Sequence, residues 1–238
     1  HALVRRQRQM CIRDRLTPPQ QAGVTFLRGD LTDTAQVAQA IETHGVTRII
    51  HLAALQVPFC KADPVMGARV NVVGTVNVFE AARAAGLRHL AYASSVAVYG
   101  PPESYPAGVL SDDVLPYPNT LYGVYKRANE GTARIYWQDH GISSAALRPY
   151  TVYGVGRDQG LTSDPTKAMR AAALGEAFEI AFSGRMQFQW ASDVARYLIA
   201  ASERPLEGAE VFNLGTPPAS VAEVVALIHR IKPGARVT

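Results

Sequence analysis

The chain has 238 residues, 47% of them hydrophobic and 18% charged, which is ordinary for a globular enzyme of one large domain. No apolar run approaches the ~20 residues that span a bilayer. The two cysteines, Cys11 and Cys60, provide no disulfide framework and are typical of a reducing compartment. We therefore expect a cytoplasmic protein that does not have a membrane as its partner.

The net charge of +4 does not indicate a nucleic-acid-binding protein. Five arginines against Asp14 give residues 1–15 the whole of that charge, so residues 16–238 are neutral overall. No nucleic acid is therefore expected as a partner. Residues 1–15 show no amphipathic pattern and no signal-like apolar segment, so we expect a non-native or disordered leader. A basic tail that binds a polyanion is the alternative.

From residue 24 onward, strand-like and helix-like segments alternate. Asp63-Pro64 is typical of a helix start, with an N-cap and a proline at the first helical position. The predicted strands are 24–28, 46–52, 89–98 and 144–148, and the predicted helices are 34–44, 64–86 and 119–140. This spacing favours right-handed βαβ units and an α/β fold with a mainly parallel sheet.

The pattern changes after residue 154, where a stretch rich in Gly, Asp, Ser, Thr and Pro predicts a loop over 154–165. The later predicted helices are 166–174, 193–202 and 220–231, and the later predicted strands are 177–182 and 210–214. Ser220 followed by Glu223 predicts a capping box at the last helix.

Tyr122-Gly-Val-Tyr-Lys126 places a phenol and an ammonium on one face of the predicted long helix. A tyrosine with an ordinary pKa near ~10 is a poor base at neutral pH. A nearby cation favours the phenolate, so we predict that Lys126 lowers the pKa of Tyr122. Alone the pair is a weak signal, because a lysine beside a tyrosine on an exposed helix face is common.

Several polar motifs fall at the ends of predicted strands, where parallel open sheets bind their ligands. They are Gly29-Asp30-Leu31, His51-Leu-Ala-Ala54, Ser94-Ser95 and Arg148-Pro-Tyr-Thr-Val-Tyr-Gly154. Each could also be structural, since Asp30 suits a helix-capping turn and the two serines suit an ordinary strand end. Their joint position at one edge of a sheet predicts a site.

Together these motifs resemble the extended short-chain dehydrogenase/reductase family, within its NAD-dependent epimerase/dehydratase branch. The resemblance covers roughly residues 23–235. Its carriers are Leu27–Asp33, His51–Ala54, Asn71–Asn77, Ala93–Gly100, Tyr122 with Lys126, Leu147–Gly154 and Val211–Gly215. The fold that this implies is a Rossmann-like doubly wound parallel sheet with a small C-terminal substrate-binding region.

The resemblance also implies roles for particular residues. Ser95, Tyr122 and Lys126 match the catalytic serine, general base and lysine of the family, and the lysine would also bridge the nicotinamide ribose. The residues that match its NAD site are Asp30, Leu31, Leu52, Ala53, Ala54, Asn71, Tyr122, Lys126 and Pro149. No metal is expected.

The family's Gly-x-x-Gly-x-x-Gly turn, which places the cofactor pyrophosphate at a helix N-terminus, does not occur before residue 23. The acidic residue that selects NAD is missing too, so NADP stays an alternative to NAD. We expect an N-terminally truncated fragment that lacks the first βαβ unit, with an early end at Thr238. The expected domains are a partial Rossmann domain over 16–155, joined by 190–215, and a truncated substrate-binding region over 156–189 and 216–238.

Two departures bear on the substrate. Thr151 stands where nucleotide-sugar enzymes of this family often carry asparagine, and Arg185 is one position from where a phosphate-binding arginine is expected. Arg148 and Arg157 are candidates for binding an anionic substrate, or for structural salt bridges. Ser95, Thr151, Arg157 and Arg185 are therefore the candidate substrate residues.

The resemblance implies an epimerase-type oxidoreductase acting on a sugar or nucleotide-sugar, with Ser95 and Tyr122 at the reacting hydroxyl. A dehydrogenase of a sugar acid or similar alcohol is one alternative, and an inactive fragment or binding scaffold is another. The resemblance also suggests a homodimer packed through the helices at about 64–85 and 119–140. The valines of the first helix suit either a core or an interface.

Overall fold

The computed structural model describes residues 17–18 and 22–238, which fall into two compact units, His1–Asp30 and Leu31–Thr238. In the first unit, residues 24–30 form no regular secondary structure, so the predicted strand at 24–28 is wrong. A β-rich run becomes a strand only where a neighbour completes its hydrogen-bond ladder, and no described residue pairs with this one. The predicted leader, residues 1–15, lies outside the described residues.

The second unit alternates helices and strands. Its helices are α1 Thr34–Thr43, α2 Val57–Ala62, α3 Pro64–Ala68, α4 Gly74–Ala84, α5 Leu121–His140, α6 Asp164–Leu174, α7 Ala191–Glu203 and α8 Val221–Ile231. Its strands are β1 Ile50–His51, β2 His89–Ala93, β3 Ser143–Arg148, β4 Thr151–Tyr153, β5 Ala177–Phe178, β6 Arg185–Trp190, β7 Ala209–Asn213, β8 Pro218–Ser220 and β9 Arg236–Val237.

A four-stranded parallel sheet forms the centre of this unit, in the order β1-β2-β3-β7. Ala93 pairs with Leu147, and Arg148 pairs with Asn213, so the carboxyl ends of β2, β3 and β7 lie along one edge. This confirms the predicted α/β fold with its parallel sheet. Polar residues that follow these strands are brought together at that edge.

Helices cover both faces of the central sheet. Leu90, Tyr92 and Ala146 point to one face, where they pack with Phe79 of α4 and Ala133 of α5. Leu147, the next residue along β3, points to the opposite face and packs with Val194 and Leu198 of α7. Alternation of side chains along a strand explains this division, and it produces the doubly wound arrangement.

The long helices begin and end where the sequence predicts. Thr120 caps α5 by accepting a hydrogen bond from the Gly123 backbone N–H, and Gly141, with φ 62°, ends it in the left-handed conformation. Asp63 caps α3 in the same way through the Met66 N–H. The predicted helix 64–86 is observed as α3 and α4 joined by a π-helical turn, Arg69–Val73.

The remaining strands form two small sheets. β6 pairs with β4 in parallel and with β8 antiparallel, while β5 pairs with β9. The sequence predicted neither β4, β6 nor β8. The predicted capping box is present at α8, where the Ser220 and Glu223 side chains each bind the other's backbone N–H. None of the helices in the described residues is long and apolar enough to cross a membrane.

Candidate active site

The end of β2 and the start of α5 form the centre of the candidate site. Ser95 follows β2 and caps a short 3₁₀ turn, Val96–Val98, by accepting a hydrogen bond from Ala97 N at 3.1 Å. The strand predicted for 89–98 therefore ends at Ala93, because this turn redirects the chain. The Ser95 hydroxyl also hydrogen-bonds the phenol of Tyr122. The structure thus brings together two of the three predicted catalytic side chains.

Close contact between α5 and this turn depends on Gly123. A Cβ at residue 123 would overlap the carbonyl oxygen of Ala97 and would lie 3.0 Å from Cβ of Pro118. Only glycine permits so close an approach of a helix backbone to another backbone segment. Gly123 therefore allows Tyr122, its neighbour, to reach Ser95.

Lys126 is buried one turn after Tyr122. Its Nζ lies 5.7 Å from the centroid of the Tyr122 ring and donates a hydrogen bond to Ala93 O at 2.6 Å. Burial lowers the pKa of Lys126 to about 8, against the opposing influence of Cys60 and Glu130. The ammonium is thus held near the phenol with a proton that it can lose close to neutral pH.

The pKa of Tyr122 is shifted in the direction opposite to the sequence prediction. Burial of the phenol raises its pKa, and the hydrogen bond from Ser95 only partly offsets that rise. The prediction that a nearby lysine lowers this pKa is therefore wrong for this structure. The physical reason is that removing the phenolate from water destabilises it more than its neighbours stabilise it.

The predicted cofactor loop, residues 52–54, is held at both ends by one helical segment. Asn71 Oδ1 accepts from Leu55 N at 2.7 Å, and Asn71 Nδ2 donates to Leu55 O at 2.8 Å. The Thr75 hydroxyl donates its one proton to Asn71 O at 2.7 Å. The hydroxyl oxygen therefore accepts a hydrogen bond from His51 Nε2, which lies 3.0 Å away. Asn71 therefore positions the loop, and its amide is already occupied.

Burial lowers the pKa of His51 to about 4, helped by the charge of Lys126. The imidazole is consequently neutral at neutral pH, which agrees with its role as a one-proton donor to Thr75. The loop that it anchors exposes Leu52, at 56%, and the small side chain of Ala53. A small exposed loop on a fixed base allows a ligand to approach the backbone.

The remaining predicted cofactor residues lie on different parts of the chain. Leu31 is held through its carbonyl by Asn77 Nδ2 at 2.7 Å, and Asn77 Oδ1 accepts from Thr34 Oγ1 at 2.9 Å. Pro149 O accepts from Val96 N at 3.2 Å, which ties the end of β3 to the Ser95 turn. Asp30 is half-buried in the first unit.

Two buried polar groups near Tyr122 have no hydrogen-bond partner among the described residues: Arg157 Nε and Gln56 Oε1. Both lie beside Gly160, since a Cβ there would overlap Gln56 Oε1 and would lie 3.2 Å from Arg157 Nη2. Burial lowers the pKa of Arg157, while Tyr122 and Asp158 raise it. Arg157 and Gln56 thus both approach Gly160, and Arg157 also interacts electrostatically with the phenol of Tyr122.

The other candidate substrate residues are engaged within the protein. Thr151 is fully buried and donates its hydroxyl to Sδ of Met186 at 3.3 Å. Arg185 is exposed, with Nη1 3.2 Å from Glu223 Oε2 and Nη2 2.9 Å from Pro218 O. The structure does not bring Arg185 into contact with the catalytic side chains.

The sequence predicted that Arg148 either binds an anionic substrate or forms a structural salt bridge. The structure shows the salt bridge. Its Nε lies 2.7 Å from Glu130 Oε1 and its Nη2 lies 2.8 Å from Glu130 Oε2. Sequence reasoning missed Glu130, and the repeated four-residue spacing of Tyr122, Lys126 and Glu130 was the signal that could have found it. Gln56 and Thr75 carried no such signal, because their roles depend on distant partners.

The fold is a doubly wound parallel sheet, and proteins with such sheets bind their ligands at the carboxyl ends of the strands, where Ser95 lies. The family model described as the NAD dependent epimerase/dehydratase family matches residues 1–215. The chain belongs to that family, whose members are enzymes.

Among characterised relatives, the UDP-glucose 4-epimerase of Mycolicibacterium smegmatis is 32% identical over 80% of this chain and 61% of its own length. The structure of MoeE5 in complex with UDP-glucose and NAD is 32% identical, with a TM-score of 0.77 over 89% of this chain and 70% of that one. A partial consensus L-threonine 3-dehydrogenase is 27% identical, with a TM-score of 0.83 over 91% of this chain and 72% of that one. The chain spans between 48% and 63% of the length of eight curated relatives that it matches.

Proposed function

We propose that the chain carries the catalytic site of an NAD-dependent epimerase-type oxidoreductase, which acts at a carbinol carbon of a sugar or nucleotide-sugar. The observation that carries this proposal is the convergence of Ser95 and Lys126 on the phenol of Tyr122. A phenol flanked by a hydroxyl and a buried ammonium can accept a proton from one substrate oxygen and return it later.

Tyr122 would exchange this proton with the reacting hydroxyl. Ser95 would hydrogen-bond the same oxygen and hold it at the phenol, and the positive charge of Lys126 would stabilise the phenolate that accepts the proton during oxidation. The raised pKa of Tyr122 keeps the phenol protonated at rest. The phenol would therefore first lose this proton to solvent, after which the phenolate would take the substrate proton in the oxidation step and return it in the reduction step, as epimerisation requires.

The residues present fit the nicotinamide half of an NAD molecule. The loop 52–54 is small, exposed and fixed by Asn71, and the Lys126 ammonium is directed to the same edge of the sheet. We propose that Leu52, Ala53, Ala54 and Pro149 line this half, and that Asp30 and Leu31 contact the adenine portion. When bound, NAD would supply the hydride acceptor for the carbinol carbon. NADP is the alternative cofactor.

We propose that the substrate lies over Tyr122 and is held by the part of the chain that follows residue 155. The unsatisfied Arg157 Nε beside Gln56 Oε1 supports a polar or anionic group at that position. Thr151 and Arg185 would take part only after exchanging their present partners. This assigns 16–155 with 190–215 to the cofactor domain, and 156–189 with 216–238 to substrate binding.

We also propose a cytoplasmic homodimer formed through α3, α4 and α5. Apolar side chains on these helices and on the π-helical turn between α3 and α4 are exposed: Val65, Val73, Leu121, Val124 and Ile135. Light scattering after size-exclusion chromatography tests the dimer, and replacing Val65 and Val124 by Asp should yield a monomer. A wild-type monomer at micromolar concentration would contradict it.

A dehydrogenase is the second candidate, favoured by the TM-score of 0.83 with the L-threonine 3-dehydrogenase structure. Product analysis separates the two candidates. With NAD present, an epimerase converts UDP-glucose or UDP-glucuronate to its epimer without net accumulation of reduced cofactor. A dehydrogenase accumulates reduced cofactor in proportion to the alcohol that it oxidises.

The first measurement is NAD binding, detected as a rise in the unfolding temperature. A ligand that binds only the folded state of a protein produces such a rise. Tyr122→Phe should abolish turnover while keeping that thermal shift, and Tyr197→Phe, at an exposed tyrosine of α7, should keep both. An unchanged rate in Tyr122→Phe contradicts the proposed site. Absence of any NAD shift in wild type supports the binding scaffold or inactive fragment instead.

A further inference from the structure

Side chains from successive turns of α5 bond to successive residues at the end of β2. Lys126 Nζ donates to Ala93 O at 2.6 Å, and Glu130 Oε1 accepts from Ser94 Oγ at 2.6 Å. With the bond between Tyr122 and Ser95, three turns of one helix hold three consecutive residues of the strand end. The catalytic serine is the last of the three.

Glu130 is buried within this arrangement. Its side chain is 1% exposed, and it accepts from Arg148 Nε at 2.7 Å and from Arg148 Nη2 at 2.8 Å. Arg127 Nη1 adds a contact of 3.2 Å from the half-exposed side. A planar two-bond pair of this kind fixes the orientation of both groups more firmly than a single hydrogen bond.

Arg148 connects this pair to the neighbouring strand. It is the last residue of β3, and the carbonyl of the following Pro149 accepts from Val96 N at 3.2 Å. Ser95 is therefore flanked by two fixed neighbours, since Ser94 is bonded to Glu130 and Val96 is bonded to Pro149. Its own position follows from theirs.

We propose that Glu130 is a positioning residue of the site, which holds the strand end bearing Ser95 against α5 while Arg148 supplies its counter-charge. This inference rests on the proposed role of Ser95 and Tyr122. It assigns no substrate or cofactor contact to Glu130, which acts through Ser94 and Lys126.

Glu130 also acts on Lys126 electrostatically, from one turn away on the same helix. Its charge raises the pKa of Lys126, against burial, which lowers that pKa to about 8. The other titratable groups that act with Lys126 are Tyr122 on α5, Cys60 on α2 and His51 on β1. Because His51 is neutral at neutral pH, Glu130 is the charged partner of Lys126 among them.

The first test titrates Lys126 in the chain without cofactor, by NMR of the lysine Nζ groups. The chain has only four lysines, so the Lys126 signal can be assigned with Lys126→Arg. Glu130→Gln should lower the pKa of Lys126 below its wild-type value by about one unit, because Arg148 and Arg127 then lack their counter-charge. The matched control is Glu80→Gln, at a carboxylate that likewise accepts from an arginine and a hydroxyl, here Arg83 and Tyr136.

A purely structural role for Glu130 would lower the unfolding temperature without moving this pKa. A folded Glu130→Gln protein with the wild-type pKa at Lys126 would overturn the proposal, as would an equal shift in Glu80→Gln. This measurement needs neither NAD nor substrate, so its result does not depend on whether the proposed function holds.

A milder variant covers the case in which Glu130→Gln does not fold. Ser94→Ala removes one hydrogen bond and leaves the ion pair intact, and we expect kcat with NAD and UDP-glucose to fall about tenfold with KM unchanged. Ser94→Thr, which keeps the hydroxyl, should restore kcat. The matched control is Ser144→Ala, at a fully buried serine whose hydroxyl has no partner among the described residues. Wild-type kcat in Ser94→Ala, or no recovery in Ser94→Thr, would overturn the proposal.

Discussion

Two buried polar regions lie side by side at the carboxyl edge of the central sheet. Charged groups are paired in the first region and destabilised by burial in the second. In the first, Arg148 and Glu130 form a paired and fully hydrogen-bonded cluster, to which Tyr99 adds a bond of 2.7 Å to Arg148 Nη1. In the second, His51 and Lys126 are buried without a bonded carboxylate, and their pKa values fall to about 4 and about 8.

The comparison shows that the two tasks are divided between the regions: the first fixes the geometry of the strand ends, and the second holds the groups whose pKa values are shifted. Pairing in the first region stabilises charge and orients the strand ends. Burial without pairing in the second destabilises charge, so Lys126 can lose its proton near pH 8 and His51 stays neutral at neutral pH. Glu130 belongs to both regions, because it pairs with Arg148 and also acts on Lys126.

Breaking the paired region should have the largest effect. Arg148→Met leaves the Glu130 carboxylate without its main partner, and we expect the free energy of unfolding to fall by about 3–5 kcal/mol. Glu130→Leu combined with Arg148→Met removes both charges and should recover about 2 kcal/mol or more of that loss. Urea denaturation measures both, and a double variant no more stable than the single one would contradict this account.

The neutral His51 should make stability depend on pH in a definite direction. Its folded-state pKa of about 4 lies below the ordinary histidine value of 6.5, so the unfolded chain binds more protons between these values. Stability is therefore lost as the pH falls through this window, by about 3 kcal/mol for this group. Unfolding curves of wild type and His51→Gln at several pH values test it. A variant with the full wild-type pH dependence would show that another group is responsible.

Two glycines of α5 should respond oppositely to alanine. Gly123→Ala places a Cβ against Ala97 O, and we expect a loss of about 1–3 kcal/mol together with loss of activity. Gly131 has open space at its Cβ position, so Gly131→Ala should stabilise the helix by about 0.5–1 kcal/mol. Thermal denaturation compares them, and equal effects at the two positions would disprove the close contact at the Ser95 turn.

Removing the unpaired charge should change stability least. The folded-state pKa of Lys126, about 8, lies below the ordinary lysine value of 10.5, so its charge destabilises the fold at neutral pH. That stability is recovered as the pH rises from about 8 to 10.5. Lys126→Met removes this penalty but also the bond to Ala93 O, so we expect stability within about 1 kcal/mol of wild type and no activity. Lys61→Met, at an exposed lysine, is the control. A loss like that of Arg148→Met would erase the distinction between the two regions.

The sequence predicted elements whose signals are local. The alternation of segments, the Asp63 cap, the Gly141 stop and the capping box of Ser220 with Glu223 are all present in the structure. The strand at 24–28 was wrong and the strand expected to reach Val98 ends at Ala93, because strand formation requires a partner that local sequence does not reveal. β4, β6 and β8 were missed for the same reason.

The candidate site divides in the same way. The spacing of Tyr122 and Lys126 on a helix, with Ser95 upstream at a strand end, indicated that these three side chains lie close together in the fold. The sequence alone thus determined the fold class through periodicity and spacing along the chain, and the resemblance of its motifs to a known family supplied the candidate catalytic residues. Only the tertiary structure decided that the pKa of Tyr122 rises, that Arg148 pairs with Glu130 and that Thr151 is buried. Desolvation and ion pairing depend on residues that are distant in the chain and become neighbours only when it folds.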